Sequence, residues 1–287
     1  MNFCIYGNPT IDIIEYSDGS TTIAYGGGVY YSSLPLLTRG FNIEVYAVRN
    51  PLIINHPVYK YITGSQYSTD VNIFLLKYSN HERKLQLYRR APPIHESNTH
   101  NGLCSVIVNP VAGEITPNLL KTLRVKSSIL ALDIQGFIRE VVNNEVLLKP
   151  KPEAYIAIQQ ADIIHMDLNE LQVLVNTSNP VQGASSLTKY TRGIIVVTNR
   201  PNRFIIGFNG VVRELVVNEE YTTSDKTGAG DYYLASYTVH YMETLDPVES
   251  VYRAHEDTSR WLKSRSTSRS LIAPPPLSSS RVYAASR

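Results

Sequence analysis

The chain has 287 residues, with 27 Lys and Arg against 25 Asp and Glu and 43% hydrophobic side chains. That length buries a substantial core in one large α/β domain or two ordinary ones, and a formal net charge of +2, from basic residues scattered except near the C-terminus, makes no demand for nucleic acid. No apolar run approaches the ~20 residues that span a bilayer, so a soluble protein without a membrane partner is expected.

Residues 2–6 form a short β-rich run with no basic-then-apolar leader ahead of it, and no signal peptide is expected. Cys4 and Cys104 each sit in an apolar strand-like run, with no CxxC pair and no Cys/His zinc spacing, which points to a reducing cytoplasm. After Gly7, Asn8 and Pro9 the run resumes over residues 10–15. Asp12 then falls just past the first strand, where open α/β sheets bind ligands; a simple turn residue is the alternative. Gly26, Gly27 and Gly28 precede a helical pattern through Val29, Ser32, Ser33, Leu36 and Leu37 that stops near Gly40. Bare backbone there admits a ligand closely, or merely makes a flexible turn. Residues 71–76 and 85–89 have strand patterns joined by a polar turn, with His81 as an exposed turn residue and Arg89 and Arg90 as solvated charges.

From Val106 onward strand and helix patterns alternate as in a doubly wound sheet. Strands over 106–108, 129–132, 163–165 and 194–197 lead to Asn109, Asp133, Asp167 and Thr198, with helices over 117–125, 153–160, 169–175 and 183–191. Gln135 and Arg139, four apart, suit a polyol hydroxyl and a phosphate. Asp167 and Glu170 offer hard oxygens for Mg²⁺ or a helix cap with an acidic first turn, and both can hold at once. A last helix runs over 247–263 with Trp261 packed in the core, followed by a Ser-, Arg- and Pro-rich tail.

Ser224 to Asp231, read Ser-Asp-Lys-Thr-Gly-Ala-Gly-Asp, runs into a helical stretch ending near Glu243. Gly228, Ala229 and Gly230 leave consecutive amides bare at a helix start, which suits a phosphate. Asp231, in the first helical turn, is expected to stay ionised at neutral pH. An anion cradle beside a carboxylate is what phosphoryl transfer to a hydroxyl needs; a Gly-rich helix start with a routine dipole partner is the other reading. No Gly-x-x-x-x-Gly-Lys-Ser/Thr exists, which excludes a P-loop NTPase, and no Gly-x-Gly-x-x-Gly follows the first strand, which excludes a Rossmann dehydrogenase.

Residues 225–231 resemble the C-terminal signature of the ribokinase-like (PfkB) carbohydrate kinases, with Lys226 where Thr or a small residue is usual. Asp12 followed by the three glycines resembles the N-terminal sugar-binding part of that superfamily. Asp167 and Glu170 resemble its Asn-x-x-Glu motif, and Thr198 stands where it carries Thr-x-Gly-x-x-Gly, here without either glycine. Within the superfamily the chain is similar to the archaeal myo-inositol kinases at Gly26–Ser32, with its Tyr30–Tyr31 pair, and at Arg89–Ile94, Asn109–Ala112, Asp133–Arg139 and Trp261–Ser266.

The resemblance implies a ribokinase-like α/β fold over residues 1–266: a mostly parallel sheet sandwiched by helices, with a small β lid from segments near 11–24 and 70–90, and a tail over 267–287. It implies Asp231 as catalytic base, Gly228, Ala229 and Gly230 as anion hole, and Asp12, Gly27, Gly28, Gln135 and Arg139 on the acceptor. Asp167, Glu170, Thr198, Lys226 and Thr227 would join Gly228 and Gly230 at the donor, with Glu170 holding Mg²⁺ through water. Lys226 either touches nucleotide phosphates or is solvated. The implied activity is an ATP- and Mg²⁺-dependent cytoplasmic kinase of a small polyol, myo-inositol to 1D-myo-inositol 3-phosphate, dimerising through the lid. A nucleoside or sugar kinase and a non-catalytic ligand-binding relative are the alternatives.

Overall fold

The strands, in chain order, are β1 (Asn2–Tyr6), β2 (Thr10–Glu15), β3 (Thr21–Gly26), β4 (Asn42–Tyr46), β5 (Ile62–Thr63), β6 (Asn72–Ser79), β7 (Glu82–Arg89), β8 (Cys104–Val108), β9 (Ser127–Asp133), β10 (Arg139–Val142), β11 (Glu145–Leu148), β12 (Ile163–Asp167), β13 (Ile194–Asn199), β14 (Arg203–Phe208) and β15 (Val211–Val216). The helices are α1 (Gly28–Thr38), α2 (Pro117–Lys126), α3 (Gln135–Ile138), α4 (Pro152–Gln160), α5 (Leu168–Val175), α6 (Pro180–Leu187), α7 (Ala229–Thr244) and α8 (Pro247–Ser268). This computed structural model describes residues 2–79, 82–199, 202–217 and 226–268. Asn80, His81, Ser224, Asp225 and residues 269–287 of the expected tail lie outside the described residues.

The large sheet runs in the order β15-β14-β13-β12-β9-β8-β1-β4-β5. It is parallel from β13 to β5, and β14 and β15 pair antiparallel at one edge. Its middle strands are short, continuous apolar runs because both faces are covered: every residue of β8 is buried. On one face α2, α4, α5 and α6 bring Leu119, Leu123, Ala157, Leu171 and Ala184 into the core. On the other, α1, α7 and α8 bring Val29, Leu36, Leu234, Tyr237 and Val251.

A second sheet, β10-β11-β7-β6-β2-β3, forms the expected lid. Its inner side buries Phe74, Leu76 and Leu87 against Val111 and Ala112. The hairpin of β10 and β11, which no sequence pattern announces, completes it. The same is true of β4, β5, β14 and β15 at the two edges of the large sheet.

Four expectations change. Asp12 is not at the end of β1 but inside β2, opposite Ala24 and Phe74, so it belongs to the lid sheet. The helix expected over 183–191 starts at Pro180, because the Asn179 side chain accepts the Val181 and Gln182 amides and Pro180 takes the first helical position. The last helix continues to Ser268, past the expected end at 263 and into the expected tail. Cys4 and Cys104, expected in a reducing compartment, are joined as a disulfide between the neighbouring strands β1 and β8, with Cα atoms 6.1 Å apart. Among the described residues no helix is long and apolar enough to cross a membrane.

The loop after β8 is pinned by Glu114, whose carboxylate accepts the amides of Asn8 at 3.0 Å, Val111 at 3.0 Å and Ala112 at 2.7 Å while only 2% exposed. Glu114→Ala leaves three buried donors without a partner, so we expect a loss of about 3 kcal/mol or more, visible as a lower urea midpoint at unchanged slope; an unchanged midpoint would contradict this role.

Candidate active site

At the start of α7, Gly228 adopts φ +79°, a left-handed conformation that glycine takes without penalty. A side chain would also strike the Tyr31 ring, which fills the space beside it. The turn bends so that α7 begins at Ala229 and Asp231 lands in its first turn, 9% exposed. Gly28 lets α1 come close: a Cβ there would lie 2.6 Å from the Asn109 Cβ and 3.0 Å from Asp231 Oδ1.

Two cavities flank this turn. The first, about 110 Å³, is lined by Asp12, Gly27, Gly28, Gln135, Arg139, Thr227, Gly228 and Asp231, all singled out from the sequence, and by Thr10, Tyr31, Phe74, Leu76, Leu85 and Val111. The lid sheet supplies the polar side chains of Thr10, Asp12 and Arg139 as well as the apolar Phe74, Leu76 and Leu85, while Gln135 and Asp231 come from the starts of α3 and α7. Within it Thr10 Oγ1 donates to Asp12 Oδ1 at 2.7 Å, Gln135 Nε2 to Asp231 Oδ1 at 3.0 Å, and Arg139 Nη1 to the Val111 carbonyl at 3.1 Å.

The second cavity, about 190 Å³, is lined by Asp167, Thr198, Lys226, Ala229 and Gly230 together with Asn199, Arg203, Phe204, Tyr233, His255, Thr258, Ser259 and Leu262. Lys226 is exposed at its rim. The expected residues thus separate into two groups, and the turn 228–230 is the wall between them: Gly228 lines the first cavity, Ala229 and Gly230 the second. Glu170 lines neither. Its carboxylate accepts the Asp167 amide at 2.8 Å while Asp167 Oδ1 accepts the Glu170 amide at 2.8 Å, a complete capping box for α5.

A buried acidic group lies behind Asp231. Asp133 Oδ1 accepts the Gln135 amide at 2.9 Å, and its Oδ2 pairs with His165 Nδ1 at 2.8 Å. His165 Nε2 is buried and has no partner, and its ring underlies Gly230, whose Cβ would lie 3.0 Å from Cε1. Asp133 is recognisable from the sequence only as the residue after a strand and His165 only as the last residue of one; strand pairing brings them together, since His165 lies opposite Asp133 in register.

The expectation that Asp231 stays ionised at neutral pH is overturned. Burial first, and the Asp133 carboxylate second, push it up to about 8, against the opposing pull of Arg139 and of the Gln135 hydrogen bond. Burial, then Asp133 and Asp167, likewise hold Glu170 well above the usual carboxylate range. Asp133→Asn removes a negative neighbour and so favours the charged form of Asp231. Its titration, followed by carboxyl ¹³C NMR, should move to lower pH, whereas an unmoved or raised midpoint would contradict this electrostatic coupling.

No family model and no curated protein matches the chain. Solved structures do. The sulfate complex of a pyrophosphate-dependent kinase in the ribokinase family superposes with TM-score 0.79 at 22% identity, over 90% of this chain and 94% of that one. A pyrophosphate-dependent kinase in the ribokinase family complexed with a pyrophosphate analog and myo-inositol gives 0.78 at 22%, over 90% and 93%. A fructokinase with bound ATP from Xylella fastidiosa gives 0.68 at 12%, over 90% and 91%. The likeness establishes a ribokinase-like fold for this chain.

Proposed function

We propose that this chain, with its ribokinase-like fold, is a phosphotransferase that moves a phosphoryl group from a polyphosphate donor to a hydroxyl of a small polyol. Myo-inositol is the expected acceptor and 1D-myo-inositol 3-phosphate the expected product. The observation that carries the reading is the shared wall: one turn presents Gly228 with Asp231 to one cavity and Ala229 with Gly230 to the other.

In this reading the polyol occupies the first cavity, gripped by Asp12, Gln135 and the backbone of Gly27 and Gly28, with its C–H face under Phe74, Leu76 and Leu85. Deprotonated Asp231 takes the proton of one hydroxyl. The freed oxygen attacks the terminal phosphorus of the donor in line, the bond to the leaving phosphate oxygen breaks, and the amides of Gly228 and Gly230 with Arg139 offset the negative charge, whereas the Ala229 amide, expected in the same cradle, donates to the Lys226 carbonyl at 3.0 Å. The lid strands exclude water, which would otherwise compete as acceptor.

ATP is the expected donor, placed by Thr198, Thr227 and Lys226. Pyrophosphate is a second reading, favoured by the absence of both nucleotide-site glycines after Thr198 and by Arg203 and Lys226 at the second cavity. Mg²⁺ would be held through water by Asp167 and Glu170, since the cap engages only one oxygen of each. When bound, that ion supplies charge neutralisation on the donor phosphates.

A nucleoside acceptor fits less well. Tyr31, which would stack a base, already packs against Gly228, Trp261 and Arg265. We also propose that the lid's outer face, with Ile23 63% and Tyr88 57% exposed, meets a second copy of the chain.

The test is ³¹P NMR of the full chain with ATP or pyrophosphate and Mg²⁺, offered myo-inositol, ribose, fructose 6-phosphate and adenosine separately. A phosphomonoester formed fastest on myo-inositol supports the reading. Preference for adenosine would replace it with the nucleoside kinase, and donor-independent silence with ligand binding intact would favour a non-catalytic relative.

A further inference from the structure

A cation stands directly behind the turn that separates the two cavities. Arg265, near the end of α8, donates from Nη1 to the Thr227 carbonyl at 2.8 Å. Its guanidinium lies over the Trp261 ring, 4.8 Å from the centroid, and over Tyr31 at 5.8 Å. Tyr31 occupies the space that a Gly228 side chain would need. Trp261 stacks on Tyr232, the residue after Asp231, with centroids 4.5 Å apart and planes 9° from parallel. One guanidinium thus ties together the Thr227 carbonyl, the ring against Gly228 and the first turn of α7.

The consequence follows from peptide geometry. The Thr227 carbonyl and the Gly228 N–H belong to one trans peptide plane and point in opposite directions. A charged donor on that carbonyl fixes the plane, keeps the Gly228 N–H directed away from Arg265, and polarises it into a stronger donor.

We propose that Arg265 is a positioning residue for phosphoryl transfer, holding and polarising the Thr227–Gly228 peptide that presents the anion-hole amide. This rests on the reading of the turn at Gly228 and Gly230 as an anion hole. Lysine cannot replace it fully, since it keeps the charge but loses the planar stacking between Tyr31 and Trp261. The cavity of about 210 Å³ that Arg265 shares with Tyr25, Tyr30, Tyr31 and Trp261 has room for a free guanidinium ion once the side chain is cut back.

The experiment compares full-length wild type, Arg265→Ala and Arg265→Lys by steady-state kinetics and by calorimetric titration with inorganic phosphate, with and without millimolar guanidinium chloride and with urea as the control. Arg265→Ala should lower kcat and weaken phosphate binding by about tenfold or more while leaving the polyol KM unchanged. Guanidinium, not urea, should restore both, and Arg265→Lys should fall between. A merely structural role would lower the melting temperature and leave the phosphate Kd of the folded protein at the wild-type value. That outcome, or a loss that guanidinium leaves in place, overturns the proposal. A wild type that neither turns over nor binds phosphate refutes the anion hole itself and the Arg265 assignment with it.

Discussion

Asp231→Asn is expected to lower kcat/KM by about 10²–10⁴-fold, the range that a positioned general base contributes, while its far-UV spectrum and melting behaviour stay close to wild type. The amide keeps the shape of the side chain and can still meet the Gln135 side chain, yet it has no basic oxygen for the acceptor proton. Removing a carboxylate held up at about 8 also removes a group whose charging the buried site opposes. The same environment sets a pH dependence in the wild type. Protonated Asp231 cannot act as base, so kcat/KM should rise with a slope near one as pH increases and level off above about 8. A flat profile from pH 6 to 9, or full activity in the Asn variant, would remove Asp231 from the mechanism.

The second large effect is expected at Gly228. Alanine there has to hold φ +79°, at a cost of about 1–3 kcal/mol, and its Cβ collides with the Tyr31 ring. Relief is available only by moving the turn or the ring, and either displaces the amides that face the transferring phosphoryl group. Since losing a single oxyanion donor costs about 10²–10³ in kcat, we expect at least ~10²-fold loss for Gly228→Ala, expressed in kcat more than in the polyol KM. Tyr31→Ala in the same chain removes the collision but not the backbone strain, so it should recover only part of the rate. Activity of the single variant within about threefold of wild type would show that the turn does not bind the reacting group.

Much of the fold was legible because the signals were local. Short apolar runs mark β8, β9, β12 and β13 as strands of a doubly wound sheet, and the glycine-rich stretches at 26–28 and 228–230 mark the helix starts that border the cavities. What escaped depended on tertiary pairing. β4 spans only five positions, of which Ile43, Val45 and Tyr46 are buried, and the β10–β11 hairpin draws its meaning from the pairing of β11 with β7 in the lid. Two site features were hidden for the same reason. Asp231 carries the sequence signature of an ionised helix-start carboxylate, but its protonation is governed by burial and by Asp133, which reaches it only through the sheet. Arg265 lies in a stretch that composition assigns to a solvated tail, although the α7–α8 packing brings it back onto Thr227.

The most direct test of the account is a crystal structure with myo-inositol and a non-hydrolysable pyrophosphate or ATP analogue bound together. It should show one inositol hydroxyl within hydrogen-bond distance of Asp231 Oδ1 or Oδ2 and the terminal phosphate of the donor on the amides of residues 228–230, on opposite sides of that turn. A polyol bound away from Asp231, or a donor phosphate seated elsewhere than the turn, would contradict the account.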